Sequence, residues 1–218
     1  VEKFSRQGKR VIVTTTTHMA WEEDRPFADA EDTEELCRLI EQYGYVIAAK
    51  HKAGQPKISG PEPETLKRLS GFCDLLLVEA DGARRLPLKV PAVHEPVIPE
   101  FADIVVGVTG LDCIGKKICD IAHRPEDVAE FLRKKTDEPV MWEDVVKIAS
   151  SENGLRKNVG EKSFLVYFNK ADVLESSGVA ENIIKKCREA GIEAVCGSLK
   201  KIMERQEICR KFHGIRRK

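Results

Sequence analysis

Apolar and polar positions along the 218-residue chain alternate between two textures. Short runs rich in β-branched residues recur at 11–17, 45–49, 75–80, 104–109, 164–168 and 193–196, and these read as strands. Between them apolar residues return at intervals of three and four, which predicts helices over 33–43, 63–72, 125–135, 142–150, 179–190 and 200–212. Strand–helix alternation predicts an α/β fold built on a mostly parallel sheet flanked by helices. The runs are almost continuously apolar, so both faces of that sheet are expected to be covered. The first ten residues read as the last turns of an amphipathic helix stopped at Gly8, which implies an element upstream of Val1.

Composition narrows the class. No Gly/Ser/Pro-rich stretch or shift in composition divides the chain, so 1–218 reads as a single domain. Thirty-six basic residues balance thirty-six acidic ones, which leaves no global field to draw the protein onto nucleic acid or an anionic membrane. No apolar run approaches the roughly 20 residues of a membrane helix, and the charged start has no signal-peptide core, so a cytoplasmic location is expected. The basic run 210–218 complements the dipole of a final helix. Seven cysteines stand singly with no C-x-x-C pair, and most are expected to be small buried hydrophobes. Cys113, Cys119 and His123 are the one grouping from which a zinc site could be assembled, and their spacing matches no familiar ligand pattern.

In open α/β sheets ligands bind at the carboxyl ends of strands, so the residues just past each apolar run carry the candidate chemistry. The run 164–168 ends in Asn169-Lys170-Ala171-Asp172, an N-K-x-D pattern. A carboxylate at Asp172 can accept from the N1 and N2 donors of guanine, which adenine lacks, while the Lys170 stem covers the base, and Asn169 is expected to read guanine together with Asp172. A plain structural account also exists, an asparagine-started turn with Asp172 capping the next helix. Ser198, after the following strand, sits where a loop could meet the base carbonyl.

The run Leu75-Leu76-Leu77-Val78 emerges into Glu79-Ala80-Asp81-Gly82. Glu79 and Asp81 are two positions apart and share one side of a strand, where acids can organise Mg²⁺ and a water, and Gly82 lets a terminal phosphate approach its amide. In Val13-Thr14-Thr15-Thr16-Thr17-His18, Thr14 is a candidate phosphate contact and Thr15 a candidate Mg²⁺ ligand, although threonine also suits strands on propensity alone. Arg84, just beyond Gly82, is a candidate for neutralising transferred charge.

The combination of Thr14 to His18, Leu77-Val78-Glu79-Ala80-Asp81-Gly82-Ala83, His94-Glu95-Pro96-Val97-Ile98-Pro99, Gly110-Leu111-Asp112, Ala122-His123-Arg124-Pro125-Glu126 and Asn169-Lys170-Ala171-Asp172 resembles the YqeC family, accessory proteins of selenium-dependent molybdenum hydroxylases. The resemblance spans essentially the whole chain. It implies a P-loop NTPase-like fold of the kinase/GTPase type, with the first strand and its phosphate loop missing from this sequence, and a role in maturing such a hydroxylase or its cofactor. The missing strand is expected between the strands ending at Ala80 and Thr109, the gap being closed by rearrangement, filled by a strand from a second copy in a homodimer, or left for a further segment of a longer protein. GTP with Mg²⁺ is the expected ligand, and Mg²⁺-dependent hydrolysis the expected chemistry of a complete protein. ATP-dependent phosphorylation of a small acceptor, or a scaffold or cofactor-carrying module without nucleotide chemistry, are the alternatives.

Overall fold

The stretch Glu31-Asp32-Thr33-Glu34-Glu35 carries a helix start, and in a computed structural model of the chain, which describes residues 1–20, 24–51 and 57–202, a helix begins there. The Asp32 carboxylate accepts from the Glu35 amide at 3.0 Å, and the helix Thr33–Tyr43 ends at Gly44 in the left-handed conformation with φ 74°. It buries Leu36, Leu39 and Ile40, the apolar stripe that its 3.6-residue period predicts. In chain order the strands are β1 (Val11–Thr15), β2 (His18–Ala20), β3 (Phe27–Asp29), β4 (Tyr45–His51), β5 (Lys57–Ser59), β6 (Leu75–Glu79), β7 (Leu88–Lys89), β8 (Ile104–Gly110), β9 (Ala122–His123), β10 (Ser163–Asn169) and β11 (Glu193–Cys196). The helices are α1 (Glu2–Ser5), α2 (Thr33–Tyr43), α3 (Pro63–Leu69), α4 (Ile118–Ile121), α5 (Pro125–Leu132), α6 (Trp142–Ser150) and α7 (Ser177–Glu189).

These elements sort into two units, Val1–Gly82 with His94–Ala102 and Ala83–Val93 with Asp103–Lys218. The first holds a six-stranded sheet in the order β2-β5-β4-β1-β6, with β3 also on β4. β1 runs parallel to β4 and β6, and Val11 to Thr15 stand in register with Leu75 to Glu79. The sheet is mixed, because β2 pairs antiparallel with β5 and β5 with the end of β4. The parallel pairings expected of the sheet are joined here by these antiparallel ones, for a physical reason. β4 continues past Ala49 through Lys50 and His51, and the three-residue segments that close on it are too short to show a period. Ile12, Leu36, Ile40, Val46 and Leu69 form the centre of this unit's core.

The second unit holds a parallel sheet of order β11-β10-β8 and a small β7–β9 ladder. Val166 and Phe168 point into a core shared with Val145, Ile148, Ile183 and Cys187 of α6 and α7. The opposite face carries Ile104, Val106 and Val108, which are 65%, 50% and 56% exposed. The continuous apolar run of β8 therefore reflects one covered face and one open to solvent, rather than two covered faces. β6 and β8 are each the terminal strand of their own sheet.

The predicted helix at 63–72 resolves into α3 followed by a 3₁₀ turn at Ser70–Phe72, and that at 125–135 is shorter, ending as Arg133 turns left-handed with φ 58°. Of the helix expected over 200–212, residues up to 202 are helical and the remainder, with the basic run and Cys209, lies outside the described residues. Among the described residues, no helix is long and apolar enough to cross a membrane.

Candidate functional site

The carboxyl ends of β10 and β11, in the second unit, hold the N-K-x-D loop. Lys170 turns left-handed with φ 61°, which swings the chain out of β10 into the 3₁₀ turn Ala171–Val173. The Asn169 side-chain oxygen stabilises that departure by accepting from the Lys170 amide at 2.8 Å and from the Leu199 amide at 3.1 Å. Backbone bonds add to the bridge, from the Ala171 amide to the Gly197 carbonyl at 3.0 Å and from the Gly197 amide to the Phe168 carbonyl at 2.9 Å. The two loops are thus one rigid edge, with Asn169 as its tie.

Asp172 stands exposed on that edge. The Ser198 hydroxyl, with help from Lys201 and Lys200, holds its carboxyl below the ordinary aspartate range. Ser198 itself is 9% exposed, so the hydroxyl is fixed. An ionised, solvent-facing carboxylate on a pinned loop is an acceptor ready for a ligand's donors. Lys170 does not swing freely, because its Nζ lies 2.7 Å from Oδ2 of Asp112, just past the end of β8. The other oxygen, Oδ1 of Asp112, is buried without a hydrogen-bond partner among the described residues. Gly110 makes this possible: a Cβ there would lie 2.5 Å from that Oδ1 and 2.8 Å from the Pro87 Cβ.

The acid edge lies in the first unit. Thr15 is fully buried, and its hydroxyl donates to the Glu79 carbonyl at 2.8 Å while accepting from the Thr17 amide at 2.9 Å. That hydroxyl holds β1 to β6. Thr14 is also fully buried, on the opposite face of β1, and its hydroxyl has no hydrogen-bond partner among the described residues. The Thr16 hydroxyl donates to the Val97 carbonyl at 2.7 Å, which with the Val97 amide on the Ala80 carbonyl at 3.1 Å brings the loop after His94 against the end of β6. Glu79 is half-buried, and burial, reinforced by the charge of Asp81, pushes its carboxyl above the usual glutamate range. Gly82 follows directly, its Cα close enough to Glu79 that an added Cβ would lie 3.5 Å from the carboxylate.

The structure therefore gathers Thr14, Thr15, Glu79, Asp81 and Gly82 in one unit, and Arg84, Asn169, Lys170, Asp172 and Ser198 in the other. Cys113 is fully buried with its thiol pushed up to about 12 by burial, and Cys113, Cys119 and His123 do not form a metal-holding cluster; no such group of three occurs among the described residues. The sequence alone assigns no role to Asp112 or to the Leu199 amide: Gly110-Leu111-Asp112 enters only as part of the family resemblance, and nothing local to it points to Lys170.

A family model described as YqeC protein matches residues 1–126. A curated relative, "Uncharacterized protein YqeC" of Escherichia coli (strain K12), is 30% identical over 218 residues, covering 97% of this chain and 84% of its own length. The chain belongs to the YqeC family. The YqeC family model takes in the Thr14 to His18 segment and the Glu79 to Gly82 edge, while the N-K-x-D loop lies beyond its last matched residue and within the span shared with the YqeC relative. No solved structure matches the chain.

Proposed function

We propose that this YqeC-family chain recognises a guanine nucleotide through its N-K-x-D edge and serves, as a P-loop NTPase-like accessory protein, the maturation of a selenium-dependent molybdenum hydroxylase or its cofactor. The observation that carries the base assignment is the pairing of the Asn169 tie with Asp172. One side chain locks the loop to the 197–199 segment, and the other presents an ionised carboxylate to solvent. Guanine offers two donors to that carboxylate and adenine offers none there, so adenine would bury a charge without a partner. Lys170, steadied by Asp112, supplies an alkyl stem on which the purine ring can rest. The hydroxylase role rests on what the family resemblance implies.

Mg²⁺ fits the acid edge. Two carboxylates two residues apart, one raised by burial and by its neighbour's charge, are stabilised by a divalent cation, and Mg²⁺ needs only one or two carboxylates beside water and phosphate. Glu79 and Asp81 would hold it, and the bound ion would supply neutralisation of phosphate charge. Thr14 and Thr15 support this edge from beneath, as a buried hydroxyl and a strand tie. Nucleotide hydrolysis is the chemistry that such an acid edge with Mg²⁺ suits. Arg84, in the second unit, offers positive charge to a phosphate.

Fluorescent GTP and ATP, titrated with Mg²⁺ against the chain and its Asp172→Ala variant, test the reading. A preference for GTP that disappears in the variant is expected. Equal affinity for the two nucleotides, or a variant that binds GTP as well as the parent, would sink the guanine assignment.

A further inference from the structure

The turn entering β7 has a conformation that its sequence does not favour. Residues 83–86 close through the Leu86 amide on the Ala83 carbonyl at 2.9 Å, and both central residues are left-handed, Arg84 with φ 51° and Arg85 with φ 65°. Two consecutive positive φ values are the mark of a tight turn that sequences ordinarily fill with Asn-Gly, because a Cβ crowds the backbone there. Here two arginines occupy it. The frame around them is fixed: the Pro87 carbonyl accepts from Thr109 Oγ1 at 2.8 Å and from the Gly110 amide at 2.9 Å, and Leu88–Lys89 pairs with Ala122–His123. Unfavourable backbone persists where its surroundings over-determine it, and such positions cluster where ligands are gripped.

The side chains point to the kind of ligand. Arg10, Arg38 and Arg68 each lie against a carboxylate, of Asp74, Glu35 and Glu31 respectively. Arg84 and Arg85 are exposed, and neither has a hydrogen-bond or ion-pair partner among the described residues. Their turn is also continuous with the base-reading edge inside the second unit. Pro87 and the Asp112 carboxylate both pack against Gly110, and Asp112 holds Lys170. The turn thus stands at the carboxyl end of β8, beside the carboxyl end of β10 that bears Asn169, where parallel sheets receive ligands.

We infer that the Arg84–Arg85 turn is a phosphate-chain site, which takes the di- or triphosphate of the nucleotide whose base rests on Asp172. Two adjacent guanidinium forks suit neighbouring phosphate oxygens, and their charge-assisted bonds bring a phosphate contribution to the same unit that reads the base. The inference rests on the guanine reading for the identity of the ligand, and on the turn for the site.

Calorimetric titration of the chain with GTP, guanosine and inorganic tripolyphosphate, each with Mg²⁺, tests it in two variants, Arg84→Gln/Arg85→Gln and Arg84→Asn/Arg85→Gly. Both variants should bind GTP about 30-fold more weakly and lose tripolyphosphate, with guanosine binding unchanged. The Asn-Gly variant should at the same time melt at a higher temperature, because it relaxes the turn; a merely structural role for the arginines would not pair higher stability with weaker binding. The site is overturned if the parent chain does not bind tripolyphosphate, or if both variants bind GTP and tripolyphosphate as the parent does. If GTP is not preferred over ATP but arginine-dependent tripolyphosphate binding persists, the base reading fails and the phosphate site stands. Guanine preference with arginine-independent phosphate binding gives the reverse.

Discussion

The acid edge of the first unit and the N-K-x-D edge of the second both lie at the carboxyl ends of parallel strands, yet they treat their polar side chains in opposite ways. At the end of β1 the hydroxyls turn inward: Thr15 is fully buried and already donates to Glu79 and accepts from Thr17. At the end of β10 one polar side chain, Asn169, performs the internal work, and its neighbour Asp172 is left exposed and ionised. A motif supplies a ligand contact only where another residue has taken over the structural hydrogen bonds. The threonine run lacks such a division, and the N-K-x-D loop has it.

The comparison is broken most severely at Asp172. Asp172→Ala would remove the two charge-assisted bonds proposed to guanine and should weaken GTP by two orders of magnitude or more, about 3 kcal/mol, with the melting temperature nearly unchanged because the side chain is exposed. Titration and thermal unfolding of the same sample measure both. A large loss of stability with no change in GTP affinity would make Asp172 a structural cap.

Gly60→Ala strikes the first unit alone. A Cβ there would lie 2.1 Å from the Thr15 carbonyl oxygen, and the obstacle is backbone that cannot rotate away. We expect about 2–3 kcal/mol of destabilisation in denaturant unfolding. Unfolding at the parent's midpoint would show that β1 and the 60 loop can part without cost.

Asn169→Ala leaves the Lys170 and Leu199 amides without their side-chain acceptor, at about 1–2 kcal/mol, and should weaken GTP as well as loosen the loop. Hydrogen exchange at Leu199, faster in the variant, reports the loosening directly. Thr15→Val should have a smaller effect, about 1 kcal/mol, because the β1–β6 ladder remains. If Thr15 has only its structural role, Mg²⁺ affinity measured by calorimetry stays at the parent's value, whereas a steep loss would restore Thr15 as a ligand.

The smallest effect is a pH dependence. Burial and Asp81 raise the Glu79 carboxyl in the folded chain, so between its unfolded and folded pKa values the native state binds the proton more tightly, and stability falls as pH rises through that window above the ordinary glutamate range. Glu79→Gln should flatten this slope, and saturating Mg²⁺ should reverse it by favouring the charged form. Asp172 shifts the other way, so its charge persists as pH falls through the ordinary aspartate range and guanine recognition should hold into mild acid. Melting curves across that range, with and without Mg²⁺, read the first effect, and GTP titrations the second.

Local signals in the sequence determined much of this protein. The strands at 11–15, 75–79 and 193–196 and the helix at 33–43 follow from runs of β-branched residues, a 3.6-residue period and the Asp32 and Gly44 caps, all of which act within a few neighbours. The N-K-x-D step was legible as well, because its asparagine, lysine and aspartate sit close together in the chain. What only the tertiary structure decided depends on partners far apart in sequence. The Asn169 tie needs Leu199, the Lys170 pair needs Asp112, and the inward turn of Thr15 needs Glu79. The division into two units, the antiparallel strands at the end of β4 and the open face of β8 belong to the same class. Hydrophobic periodicity says that a face is apolar, but which element covers it, and which hydroxyl is already satisfied, is settled by contacts that no local window contains.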